Sequence, residues 1–159
     1  MNPRTLLMAI ALLSMVVMAF GSNATVAPFV GNWVLNVGRS EFSGTSPLKS
    51  CTLTVDDAGA DKLHIAGQWV NGDGSKGQDE FTAALDATES RVTGYSHIDS
   101  VRLTAINSRA YRASFTRTGT PVVWRTYDVA ADGKTMRVTE RGNDATGARY
   151  DSVEMFERQ

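Results

Sequence analysis

From residue 32 onward the chain repeats one pattern: five to nine residues of alternating polarity, then a cluster of Gly, Asp or Asn. A period of two sends successive side chains to opposite faces of a strand, and no stripe of helical period competes with it. "NWVLNV" (32–37) sets Trp33, Leu35 and Val37 on one face, and "SCTLTV" (50–55) sets Cys51, Leu53 and Val55 together. "LHIAGQWV" (63–70) aligns Leu63, Ile65 and Trp69; "DEFTAAL" (79–85) aligns Phe81, Ala83 and Leu85. "SVRLTAI" aligns Val101, Leu103 and Ala105, "AYRASFTR" aligns Tyr111, Ala113 and Phe115, and "TMRVTER" aligns Met136 and Val138. In "VVWRTYDV" Val122, Trp124 and Thr126 alternate with Val123, Arg125 and Tyr127; "RYDSVEMFER" closes the chain.

The connectors "DDAGAD", "NGDGSKG", "NSR", "TGTP", "ADGK" and "NDATGA" are hairpin turns by composition, because Gly, Asn and Asp reach positive φ at low cost. The pattern predicts nine strands, with a tenth, short one at Arg91–Thr93 inside "DATESRVTGYSH". Sequential hairpins without a crossover helix predict an all-β fold: a single antiparallel up-and-down β-barrel of 8–10 strands, closure removing the exposed edges. A two-sheet sandwich of the same strands is the alternative.

The first residues, "MNPRTLLMAIALLSMVVMAFGSNA", place one cation, Arg4, before an apolar run from Leu6 to Phe20, then small residues with Ser22 and Ala24 at −3 and −1. That order predicts a signal peptide over 1–24, cleavage near Ala24, and a secreted or periplasmic barrel domain over 25–159. The run is short for a span and no stop-transfer cluster follows, so no integral membrane span is expected in the mature chain. Loss of Arg4 leaves 15 Lys and Arg against 17 Asp and Glu, a balance with no footprint for nucleic acid or an anionic membrane. Cys51 is the only cysteine, so no internal disulfide forms and the alternation predicts a buried thiol.

"FVGNWVLN" carries Gly31 and Trp33 at the first strand and resembles the Gly-x-Trp opening of lipocalin and other calycin barrels. "GRSEFSGTSPLKSCTLTV" and the tail "VAADGKTMRVTERGNDATGARYDSVEMFERQ" resemble more closely a group of exported bacterial lipocalin-like proteins. The resemblance implies a barrel in which Trp33 closes one end and a late arginine, by position Arg158, packs across its ring, with Gly31 leaving room beside the indole.

Candidate chemistry is sparse. His64 alternates against the apolar set of its strand and His97 lies in the ambiguous segment; with no ligand cluster beside either, neither metal nor cofactor is expected. No nucleophile elbow or His–Asp spacing marks a catalytic triad, so no catalytic residue is assigned. Asp56, Asp57, Asp61 and Asp73 read as turn formers, and "NGDGSKGQDE" lacks calcium-loop spacing. Arg102, Arg112, Arg125 and Arg137 fall on four consecutive strands, either coating the outside or forming a cationic well inside. "Arg125-Thr126-Tyr127" has the form of the anion-holding pair of fatty-acid-binding barrels, two strands too early. The cost of burying unpaired guanidinium groups favours the exterior arrangement.

The expected lumen lining is therefore Leu35, Leu53, Ile65, Trp69, Phe81, Leu103, Tyr111, Phe115, Trp124 and Val138, with Ala83, Ala105, Ala113 and Gly67 leaving space and Tyr111 or Tyr127 supplying polarity. These features predict a non-catalytic carrier of a small hydrophobic molecule. The alternatives are a small barrel enzyme, an isomerase or hydrolase with its site in the lumen, and a solid-cored envelope protein acting through surface contacts.

Overall fold

In the computed structural model, residues 25–43, 47–143 and 147–159 are described. The expected signal peptide over 1–24 lies outside them. Eleven strands follow in chain order: β1 (Gly31–Leu35), β2 (Glu41–Phe42), β3 (Leu48–Asp57), β4 (Lys62–Asn71), β5 (Lys76–Ala84), β6 (Asp86–Thr93), β7 (Ser100–Asn107), β8 (Ala110–Arg117), β9 (Thr120–Val129), β10 (Thr135–Asn143) and β11 (Arg149–Arg158). Each of β3 to β11 pairs antiparallel with its sequence neighbour. β1 pairs with β3 on one side and β11 on the other, through Trp33↔Arg158, Val34↔Glu157 and Leu35↔Phe156. The sheet thus closes into a ten-stranded barrel. The two-residue β2 adds to the outside of this order, pairing Phe42 with Ser152 and Glu41 with Val153.

The turns form for the reason their composition suggests. Asp57, Asp73, Asp86, Asn107 and Asp132 each accept, through Oδ1, a backbone N–H two residues on, at 2.8–2.9 Å. This side-chain mimic of a turn fixes where one strand ends and the next begins.

Two local expectations change. Val37 does not continue the first strand: it opens a 3₁₀ turn (Val37–Arg39) capped by Asn36, and is 42% exposed. The segment expected to hold a short strand at 91–93 is an eight-residue strand, β6, that pairs with β5 only through Glu80↔Thr93 and Phe81↔Val92. Its sole buried residue is Val92, so polarity alternation could not reveal its length.

One end of the barrel is plugged. Residues 26–30 fold across it: Phe29 packs edge-on against Tyr111 at 4.8 Å, and Tyr111 stacks on Tyr127 at 4.5 Å. Trp33 is fully buried there and its indole N–H donates to the Phe29 carbonyl at 2.8 Å. The Arg158 guanidinium lies 4.2 Å over the Trp33 ring and donates to the carbonyls of Pro28, Val30 and Gly133. Gly31 sits beneath it at φ +141°, where a Cβ would come within 2.9 Å of Arg158 Nη1. A charge spread over an aromatic face and three carbonyls ties β1, β11 and the plug together.

Candidate functional site

The other end of the barrel is open, where β4, β6, β8 and β10 finish and β3, β5, β7, β9 and β11 begin. A cavity of about 440 Å³ enters there. Its apolar wall includes Leu48, Leu53, Trp69, Val123, Val138 and Phe156. Around its mouth stand Phe42, Trp69, Tyr95 and His97, with Tyr95 edge-on to Trp69 at 5.3 Å and tilted against His97 at 5.2 Å. Trp69 lies flat over Gly77 on the next strand, where a Cβ would overlap the indole at 2.3 Å. The exposed Arg117 holds the rim with Nη1 3.5 Å from His97 Nδ1.

Inside, the inward phase of five strands turns polar. Counting by twos from the buried core gives Cys51 on β3, Asp79 on β5 (from Phe81), Arg125 on β9 (from Tyr127), Glu140 on β10 (from Val138), and Glu154 and Ser152 on β11 (from Phe156). All of them line the cavity. Arg125 Nε donates to Glu140 Oε2, and its guanidinium lies 4.8 Å over the Phe115 ring. Tyr150 donates its hydroxyl proton to Glu140 Oε1 at 2.7 Å, so both Glu140 oxygens are engaged. Asp79 Oδ2 is 3.8 Å from Arg125 Nη1, too far for a hydrogen bond. Gly67 faces Asp79 across the β4–β5 ladder; a Cβ there would fall 2.6 Å from Asp79 Oδ1, so only glycine leaves the carboxyl its place.

Burial sets the protonation of these groups. Burial, then the Glu140 charge, pushes the Glu154 carboxyl up to about 8. Burial also raises Asp79, against the opposing pull of Arg125. Burial and the Glu154 charge push the Cys51 thiol up to about 12, which keeps it an unreactive thiol. Tyr127 and Tyr150 are raised by burial first and stay neutral, Tyr150 donating to Glu140.

Of the residues expected in the lumen, Leu53, Trp69 and Val138 line the cavity. Leu35, Ile65, Phe81, Leu103, Tyr111 and Phe115 are buried in the core and do not reach it. Trp124 is a correction: it stands on the outer face, 43% exposed. Both phases of β9 carry bulky side chains, and Val123, Tyr127 and Val129, not Trp124, turn inward. The same phase corrects the arginines. Arg102, Arg112 and Arg137 are exposed, but Arg125 points inward, its burial offset by Glu140 and, at 3.8 Å, Asp79 rather than left unpaired. Cys51 is buried, as alternation predicts. His64 faces outward between Glu80 (2.9 Å) and Asp56 (3.6 Å). The acids of the wall were overlooked because a charged residue at an inward position breaks the polarity alternation; its phase relative to the flanking core residues was the available signal.

No protein-family profile matches the chain, and no curated protein matches its sequence. Among solved structures it is similar to a mutant of the fluorescent protein UnaG, at 13% identity and TM-score 0.55 over 85% of this chain and 99% of that one. It is similar as well to Rv2717c from M. tuberculosis, at 11% identity and TM-score 0.54 over 84% of this chain and 94% of that one. A third, mFAP2b bound to DFHBI, matches at 9% identity and TM-score 0.53 over 87% of this chain and all of that one. At such identities the likeness is one of fold. The chain has the fold of a lipocalin-like barrel, a closed antiparallel sheet whose first and last strands meet at Trp33 and Arg158.

Proposed function

We propose that the chain is exported and that its barrel binds one small, largely apolar molecule in the open-ended cavity. The carrying observation is the cavity itself: about 440 Å³, entered from one end, with aliphatic and aromatic walls. That volume is in the ordinary range for small-molecule sites, and burial of apolar ligand surface at about 25 cal/mol per Å² drives the binding. The similar barrel bound to DFHBI is consistent with this use of the fold. A solid-cored protein working only through its surface is disfavoured by the same cavity.

Native mass spectrometry of the protein purified from its host's periplasm or medium tests the reading. A non-covalent small-molecule adduct on a chain beginning at Thr25 is expected. Bare full-length chain from the cytosol, across repeated preparations, would overturn it. A second reading, a lumen enzyme, draws support from the meeting of Asp79, Glu140 and Glu154 around Arg125, with one carboxyl poised near neutrality. Conversion of the recovered ligand on incubation favours the enzyme; its return unchanged favours carriage.

A further inference from the structure

We propose that the inner wall of this cavity is a receptor for a protonated amine, its nitrogen seated against Asp79 and its hydrocarbon part along Leu53, Trp69 and Val138. The proposal rests on the lumen being a binding pocket and adds the chemical class of the occupant.

The first support is an orphaned acceptor. Among the described residues, Asp79 Oδ2 is the one buried side-chain oxygen or nitrogen with no hydrogen-bond partner. The Asp79 side chain is only 3% exposed, and it lines the cavity. A buried carboxyl oxygen without a donor is unfavourable, and an occupant bringing a donor relieves it. The site is also built to hold that carboxyl, since glycine at position 67 is what gives it room.

The second support is the sign of the charge. The inner wall holds three carboxyl groups, Asp79, Glu140 and Glu154, and one guanidinium, Arg125. Glu140 takes up Arg125 through Nε and is itself filled by the Tyr150 hydroxyl. The Glu140 and Arg125 charges answer each other, and Asp79 Oδ2 is the acceptor left for a ligand's donor. Arg117, the other arginine of the cavity, is out at the rim beside His97. An ammonium supplies three N–H donors and a compact charge, and a short alkyl chain behind it fits the apolar wall.

The test uses the full barrel, residues 25–159, at pH 7.5. N-phenyl-1-naphthylamine serves as the fluorescent lumen probe, and octylamine, 1-octanol and octanoate, equal in length, serve as competitors. The proposal expects octylamine to displace the probe at concentrations at least about 10-fold lower than octanol, with octanoate weakest. Asp79→Asn, an isosteric change that removes the carboxyl, is expected to bring octylamine to within about 2-fold of octanol. Equal displacement by all three, preference for octanoate, or an amine preference that survives Asp79→Asn would overturn the amine receptor and leave the pocket standing. Failure of the probe itself to bind would overturn the pocket reading, and the proposal with it.

Discussion

At the scale of single residues, the barrel interior is decided by phase. Leu53, Val138 and Phe156 each have a neighbour two positions away that also faces inward, and those neighbours include Cys51, Glu140 and Glu154. A strand cannot turn one of these out without turning out its hydrophobic companions. Cys51 shows what such confinement does. Its thiol is pushed up to about 12, so at pH 8 the folded protein should react with an aromatic disulfide reagent far more slowly than the urea-unfolded chain. Equal rates would mean that the wall beside Cys51 is wet.

At the scale of elements, the pairing of β1 with β11 turns an open sheet into a barrel, and only three residue pairs make it. Arg158 compensates for that brevity by bridging β11 to the plug carbonyls and the Trp33 ring. Trp33→Ala removes a fully buried indole, a loss of about 3–5 kcal/mol, and should lower Tm by more than about 10 °C. Arg158→Ala should cost less but still lower Tm measurably, because the cation–π contact alone is worth about 0.5–2 kcal/mol. Calorimetry that finds both variants melting with the parent would remove this contact from the account of closure. Legibility divides at this scale as well. Strands with one greasy face, such as β3, β4 and β7, declare themselves in the sequence. β6, "DATESRVT", does not, because only Val92 is buried; β9 misleads, because Trp124 outside and Tyr127 inside are equally bulky. The closed end was readable from Gly31, Trp33 and Arg158, whereas the acidic wall was not, since its members interrupt the very alternation by which strands are recognised.

At the scale of the whole molecule, an acidic wall inside a barrel makes stability depend on pH. Glu154 ordinarily titrates near 4.5 and in the folded barrel near 8. The unfolded chain therefore releases this proton first, and the stability that this group contributes is fully present below its ordinary 4.5 and is lost as pH rises toward 8. Asp79 is shifted in the same direction, and so is surface His64, held up chiefly by its hydrogen bond to Glu80. Glu154→Gln should flatten the fall between pH 5 and 8, a difference of about 3 kcal/mol in denaturant unfolding. An unchanged slope would mean that Glu154 is solvated.

The chain's three tryptophans report on three places: Trp33 in the plug, Trp69 at the mouth and Trp124 on the outer wall. The most direct measurement is the indole spectrum of ¹⁵N-tryptophan-labelled protein titrated with the lumen probe. Binding in the open-ended cavity shifts the Trp69 resonance and leaves Trp33 and Trp124 in place. A shift confined to Trp124, or three unmoved resonances at saturating probe, would contradict a ligand-holding lumen.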